Sequence, residues 1–133
     1  GGPVERHTGR ILLTEDNELN QEIAVAILGE AGFTIEVAEH GKMAVEMLAA
    51  SEPGYYQLVL MDIQLPVMDG YQAAREIRRL PEPGLASIPI IDMTANSFEE
   101  DKLEALKSCM DGHISKHIDV EVLFDTLDHM LRR

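Results

Sequence analysis

Four short polar stretches of the sequence each follow an apolar run, and they contain the side chains best suited to chemistry. Glu15 and Asp16 follow the first of these runs, Asp62 a second, Thr94 ends a third, and Lys116 follows a fourth. A carboxylate can bind a divalent cation or attack phosphorus, and a lysine can neutralise phosphoryl oxygens. The set suits phosphoryl transfer, provided that the fold brings its members together.

The segments around these residues alternate between two hydrophobic patterns. Short apolar runs predict buried strands, whereas apolar residues spaced three and four apart predict helices. Leu19, Ile23, Ala26 and Ile27 have the helical spacing. The predicted strands cover residues 10–14, 33–38, 57–61, 88–93 and 112–115. The predicted helices cover residues 18–31, 42–50, 71–80, 98–108 and 120–131, and a Pro/Gly-rich loop occupies 81–84.

Strands that alternate with helices in this way predict an α/β fold with a doubly wound parallel sheet. Right-handed crossovers place helices on both faces of such a sheet. If the strand order is 2-1-3-4-5, the first and third strands are neighbours, and ligands bind beyond their carboxyl ends. Asp16 and Asp62 then face one another there, and Glu15 shares the pocket.

Carboxylates packed together in one pocket repel one another unless a cation lies among them. Mg²⁺, or Mn²⁺ in its place, prefers oxygen ligands, and one or two carboxylates plus a phosphate oxygen can complete its shell. Lys116 would add a fixed positive charge and Thr94 a hydroxyl donor. The pattern therefore predicts a metal-dependent site for a transferring phosphoryl group.

Each of these residues also has a simpler interpretation. A carboxylate at a strand end often caps the next helix, and Asp16 with Asn17 could cap the first one. A single lysine usually lies on the surface, and a single threonine often just ends a strand. Their coincidence at one predicted sheet edge favours the functional interpretation.

Composition limits the class of protein. A chain of 133 residues that is 45% hydrophobic fits one domain, and its formal net charge of −13 opposes binding to nucleic acid. The single cysteine, Cys109, and the absence of zinc-site spacing favour a reducing, cytoplasmic setting. No apolar run is long enough to predict membrane contact. We expect residues 1–9 to be a flexible lead-in or cloning remnant, and 10–133 to be the domain.

Four segments resemble the receiver domains of two-component signalling, over residues 11 to about 131. The resemblance lies in residues 11–17 with Asn20, in 58–70, in 89–95 and in 112–116. It implies a flavodoxin-like (βα)5 three-layer sandwich. The amino-acid sequences of these segments are most similar to those of receivers attached to hybrid sensor histidine kinases, so the chain could be a fragment of such a kinase.

The resemblance implies a role for each matching acidic residue. Asp62 would accept a phosphoryl group from a phosphohistidine on a histidine kinase or a histidine phosphotransfer domain. Glu15, Asp16, Asp62 and the backbone carbonyl of Gln64 would hold Mg²⁺. The domain would then catalyse its own phosphorylation and the slow hydrolysis of the aspartyl phosphate.

The resemblance also implies a switch. Thr94 and Lys116 would bind the phosphoryl group, and Thr94 and His113 would change conformation with it. The surface formed by the predicted helix 98–108 and the fifth strand would then bind partners differently. With the last helix, this surface could also form a homodimer.

Three positions depart from the family pattern. His117 follows Lys116 where the family usually has proline, His113 replaces an aromatic residue, and Asp92 stands in an apolar strand. A buried Asp92 needs a partner unless it reaches the wet edge of the sheet. Two alternatives stay open: a degenerate receiver-like interaction module, and a small hydrolase with Asp62 as nucleophile, although no insertion is long enough for a substrate-covering cap.

Overall fold

A five-stranded parallel sheet with strand order β2-β1-β3-β4-β5 forms the centre of the fold. The structure, a computed structural model, describes residues 9–62, 67–94, 110–115, 125 and 128–129. The strands are β1 (Gly9–Thr14), β2 (Phe33–Ala38), β3 (Leu58–Asp62), β4 (Ile90–Thr94) and β5 (Gly112–Ser115). The predicted α/β fold class and its strand order are confirmed.

The described helices connect these strands. They are α1 (Glu18–Glu30), α2 (Gly41–Ala49), α3 (Gly70–Arg78) and the one-turn α4 (Pro83–Ala86). The predicted helix 98–108 lies outside the described residues, as does most of the predicted helix 120–131. Within the described residues, no helix combines the length and apolarity that crossing a bilayer requires.

Side chains of alternate strand residues build two hydrophobic cores, one on each face of the sheet. Leu12 packs with α2 and α3 on one face, whereas Ile11 and Leu13 pack with α1 on the other. All three side chains are fully buried. Burial on both faces explains why each strand reads as a continuous apolar run rather than an alternating one.

The residues of α1 that are buried are not the ones whose spacing predicted the helix most clearly. Ala24 and Leu28 are buried against the sheet, whereas Leu19 and Ile23 are 63% and 45% exposed. The helix carries apolar residues on two faces: of the residues whose spacing predicted it, Ile27 packs against the core, whereas Leu19 and Ile23 are exposed. A second apolar face therefore remains at the surface of α1.

Two local predictions need correction. The Pro/Gly-rich stretch contains a helical turn rather than only a loop, because Pro83 suits the first turn of a helix and Glu82 caps it by accepting a hydrogen bond from the Gly84 amide at 3.2 Å. Gly9, assigned to the lead-in, begins β1 and is in register with Phe33. Residues 1–8 lie outside the described part of the chain.

Candidate functional site

Three carboxylates meet beyond the carboxyl ends of β1 and β3. Glu15, Asp16 and Asp62 each offer a carboxylate oxygen, and these oxygens all lie within 4.8 Å of one another. Glu15 and Asp62 are each only 1% exposed, whereas Asp16 faces solvent. The predicted convergence of these three residues in one pocket is confirmed.

The register of the sheet produces this convergence. Thr14 on β1 is paired with Met61 on β3, so the next residues along each strand, Glu15 and Asp62, stand at the same level. The Glu15 amide donates to the Ala38 carbonyl at 3.0 Å, which extends the β1–β2 ladder by one step. Backbone pairing therefore fixes Glu15 at the point where the chain leaves the sheet.

The cap of α1 is Asn17 and not Asp16. The Asn17 side chain accepts a hydrogen bond from the Asn20 amide at 3.0 Å, and its extended backbone is typical of a cap. Asp16 is therefore not used as the helix cap and lies in the carboxylate cluster. The simpler interpretation, in which the residue only caps the first helix, therefore holds for Asn17 and not for Asp16.

Two side chains in the first turns of α1 hold Glu15. Asn20 Nδ2 donates to Glu15 Oε1 at 2.7 Å, and Gln21 Nε2 donates to the Glu15 backbone carbonyl at 2.7 Å. Sequence reasoning included Asn20 only in the resemblance and missed Gln21. Amide side chains five and six residues after a strand-end glutamate were the available signal, because a helix starting there turns them back towards the strand end.

The connection from β3 to α3 packs closely against the start of α2. A Cβ atom on Gly41 would lie 2.3 Å from the Met68 carbonyl oxygen, so only glycine fits there. Val67 has a positive φ of 70°, which is unusual for a β-branched residue. Asp69 then caps α3 by accepting a hydrogen bond from the Gln72 amide at 2.8 Å. Close packing and capping thus fix the described part of this connection, a few residues after Asp62.

The donor set of the cluster fits a hard divalent cation. Carboxylate oxygens are the ligands that Mg²⁺ and Mn²⁺ prefer, and the cluster gathers three of them from two adjacent strand ends. A cation would also offset the repulsion between these groups. Glu15, Asp16 and Asp62 are therefore the described residues that would hold it.

The other predicted site residues are described only in part. Thr94 ends β4, one residue beyond the Met93 that pairs with Asp62. His113 lies on β5, and its backbone is in register with Asp92. Gln64, Lys116 and the peptide between Lys116 and His117 lie outside the described residues, so their predicted roles stay predictions.

Asp92 does not reach the wet edge of the sheet. Its side chain is fully buried, and it stands in register between Met61 and His113 in the interior of the sheet. Ile90, two residues earlier on the same face of β4, belongs to the core that packs against α2 and α3, so this face of the strand is covered. The alternative left open by the sequence, that Asp92 reaches the wet edge of the sheet, is therefore wrong.

Comparisons with known proteins agree with this geometry. Residues 11–128 match the family model described as the response regulator receiver domain. The aerobic respiration control sensor protein ArcB of Escherichia coli K12 is 43% identical over 114 residues, which are 85% of this chain and 14% of ArcB. Hybrid signal transduction histidine kinase I of Dictyostelium discoideum is 33% identical over 121 residues, 90% of this chain and 7% of that protein. The chain thus spans a small part of these relatives.

Solved structures lead to the same family. The receiver domain of the sensor histidine kinase PA1611 from Pseudomonas aeruginosa PAO1 has a TM-score of 0.84 and 32% identity, covering 96% of this chain and all of that one. It is described with a magnesium ion coordinated in its active-site cleft. Because the family model covers nearly the whole sequence and the PA1611 receiver domain has the same fold, the chain belongs to the family of response regulator receiver domains of two-component systems.

Proposed function

We propose that the chain is a phosphoacceptor in a two-component phosphorelay and that Asp62 receives the phosphoryl group. The observation that carries the proposal is the meeting of three carboxylates within 4.8 Å at the strand ends, with Asp62 fixed as the last residue of β3. A rigid nucleophile beside a cation-binding set suits phosphoryl transfer, which depends on positioning and charge stabilisation.

The reaction moves one phosphoryl group between two protein side chains. A carboxylate oxygen of Asp62 attacks the phosphorus of a phosphohistidine, an acyl phosphate bond forms, and the phosphorus–nitrogen bond breaks. The electron pair of the broken phosphorus–nitrogen bond stays on the imidazole nitrogen of the donor protein, where it can accept a proton. In this proposal, Thr94 and Lys116 bind the phosphoryl oxygens as negative charge shifts towards them.

Mg²⁺, or Mn²⁺, is the proposed cofactor. Glu15, Asp16, Asp62 and the Gln64 carbonyl would hold the ion, which would neutralise charge on the phosphoryl oxygens. Support comes from the buried carboxylate pair in this chain and from the magnesium ion of the PA1611 receiver domain. Two of the four proposed ligands come from β1–α1 and two from β3–α3, so binding would tie these connections together.

The proposed partner is a histidine kinase or a histidine phosphotransfer domain. Leu19 and Ile23 are exposed on α1, the helix whose first turns hold Glu15. An exposed apolar face beside a catalytic cluster suits docking of a helix that carries the phosphohistidine. The relatives named as histidine kinases support this kind of partner. The acidic charge argues against nucleic acid as a direct partner.

The proposed output is a change of surface in the cytoplasm. Phosphorylation would draw Thr94 towards the phosphoryl group, His113 would follow, and the surface of segment 98–108 and β5 would favour another partner or a second copy of the domain. Such a response is a shift between two conformations that phosphorylation biases.

Incubation with acetyl phosphate and Mg²⁺ tests this proposal, with intact mass as the readout. We expect one added phosphoryl group on the wild type, none without Mg²⁺, and none on Asp62→Asn. A chain that is not labelled, but gains labelling in His117→Pro, would instead be a degenerate interaction module. Absence of labelling in both would contradict the phosphoacceptor function.

A further inference from the structure

We infer that Asn20 is a positioning residue for the metal site, because its side-chain amide fixes the carboxylate of Glu15 in the orientation that receives the cation. The inference rests on the proposed function and adds a specific role for a residue outside the proposed ligand set. Asn20 acts through Glu15 and needs no contact with the ion.

The contact is short and joins a buried acceptor to a fixed donor. Asn20 Nδ2 lies 2.7 Å from Glu15 Oε1, and Glu15 is only 1% exposed. The backbone of Asn20 is itself fixed, because its amide donates to the Asn17 side chain at the helix cap. The amide group therefore extends from an ordered first turn rather than from a loop.

Glutamate needs such a partner more than aspartate does. Its longer side chain has an additional torsion, so backbone pairing alone leaves the position of the Glu15 carboxylate undetermined. A bond to Oε1 sets the rotation of that group, and a donor to a carboxylate stabilises its negative charge beside Asp16 and Asp62. The site is thereby ordered before a cation arrives.

The residue type also suits the role. An asparagine amide donates a hydrogen bond without carrying charge, so it orients Glu15 without competing with a cation for the pocket. A lysine in its place would bring a positive charge, and an aspartate would add a carboxylate to the three already present. Partners that orient ligating carboxylates typically change metal affinity by about 10- to 100-fold when they are removed.

Calorimetric titration of the unphosphorylated chain with Mg²⁺ tests the inference without any phosphoryl transfer. We expect Asn20→Ala to weaken Mg²⁺ binding by about tenfold. Gln21→Ala is the matched control, since Gln21 donates at the same 2.7 Å to the backbone of Glu15 instead of its carboxylate. It should cause a clearly smaller loss. Thermal unfolding without metal shows whether each variant is folded.

A double-mutant cycle separates action through Glu15 from any other route. In the Glu15→Ala background, the carboxylate is gone, so adding Asn20→Ala should cause no further loss of Mg²⁺ affinity. Unchanged affinity in Asn20→Ala, an equal loss in Gln21→Ala, or a full additional loss in the Glu15→Ala background would each overturn the inference. These outcomes leave the proposed function standing, whereas a wild type that binds no Mg²⁺ contradicts both.

Discussion

The two ends of the sheet arrange charge in opposite ways. Towards the amino-terminal end, Arg78 and Asp111 form an ion pair at 2.7 Å, and the same arginine donates to two backbone carbonyls at 2.8 and 2.7 Å. At the carboxyl end, Glu15, Asp16 and Asp62 gather like charges within 4.8 Å. The first arrangement links α3 to α4 and to the residues that lead into β4 and β5, whereas the second has the chemistry of a cation site.

A second cluster on the amino-terminal side shows the same pairing of opposite charges. Glu36 accepts hydrogen bonds from the hydroxyls of Tyr55 at 2.6 Å and Tyr56 at 2.9 Å, and Arg10 Nε lies 3.0 Å from it. The bond from Tyr55 is the main cause that holds the pKa of Glu36 below its ordinary value. Burial and the bond to Glu36 raise the pKa of Tyr56.

Glu36, Tyr55 and Tyr56 of this cluster line a groove of about 700 Å³ with Met47, away from the three carboxylates. Its polar groups bond one another, so the groove by itself does not indicate a reaction site. The site where like charges gather, and not the larger groove, therefore has the chemistry of the proposed function. Residues at the amino-terminal end should therefore affect stability, and those at the carboxyl end should affect metal binding.

The largest expected effect tests the ion pair at the amino-terminal end of the sheet. Arg78→Ala leaves Asp111 without its arginine and two carbonyls without a donor, so we expect a loss of about 3 kcal/mol in the free energy of unfolding. Urea titration measures the loss. Arg79→Ala is the matched control: its ion pair with Glu76 is exposed, so the change should stay within about 0.5 kcal/mol. Equal losses would remove the structural role assigned to Arg78.

The next effect tests the carboxyl end. Mg²⁺ at one hundred times its dissociation constant should raise the free energy of unfolding by about 2.7 kcal/mol, because only the folded chain presents the site. Asp16→Asn should reduce this gain, while Glu36→Gln should keep it. Urea titration with and without Mg²⁺, at matched ionic strength, distinguishes binding from screening. A gain that survives Asp16→Asn unchanged would contradict the assignment of Asp16.

Close packing beside the cluster gives the third effect. Gly41→Ala places a Cβ atom against the Met68 carbonyl, and the displacement should cost about 2 kcal/mol. Gly29 is the matched control, since an added Cβ there would lie within 4 Å of no atom beyond its chain neighbours and the backbone of its own helix. As an open helix position, Gly29→Ala should stabilise the chain by about 0.8 kcal/mol. The same sign of change for both variants would disprove the packing argument.

The smallest effect is a pH dependence of the free energy of unfolding, and it comes from the Glu36 cluster on the amino-terminal side of the sheet. Tyr56→Phe removes the bond to Glu36 and should cost about 1 kcal/mol at neutral pH. Since the pKa of Glu36 is lowered on folding, its stabilisation is present above the ordinary value of 4.5 and is lost as the pH falls through the lowered pKa. The pKa of Tyr56 is raised, so its contribution is present below 10 and is lost as the pH rises through the raised value. The difference between wild type and Tyr56→Phe should therefore shrink at both extremes.

Denaturant titrations across the pH range measure this difference. In Glu36→Gln, the free energy of unfolding should no longer show the fall at acid pH that protonation of the Glu36 carboxylate causes in the wild type. A difference between wild type and Tyr56→Phe that is constant from acid to alkaline pH would contradict the assignment of that difference to a bond with the ionised Glu36 carboxylate.

The strands and the meeting of the carboxylates were predictable because their signals are local or topological. A run such as the one from Ile11 to Leu13 has few alternatives to a buried strand, and neighbouring parallel strands must end at one edge. The order 2-1-3-4-5 then brings Asp16 and Asp62 together. No side-chain detail was needed for that step.

Side-chain placement was less predictable because it depends on packing between distant segments. α1 has apolar residues on two faces, and only contact with the sheet decides that Leu28 is buried while Leu19 is exposed. Glu36 and Tyr56 lie far apart in the sequence and meet only across the folded sheet. The choice of Asn17 over Asp16 as cap likewise depended on side-chain geometry.

The most direct test of the central claim is to locate the phosphoryl group after transfer from a phosphorylated histidine phosphotransfer domain. Borohydride reduction converts an aspartyl phosphate to homoserine, and tandem mass spectrometry then identifies the modified position. We predict homoserine at position 62, dependent on Mg²⁺ and on the phosphorylated donor. Modification at another residue, or transfer that persists in Asp62→Asn, would contradict the assignment of Asp62 as the phosphoacceptor.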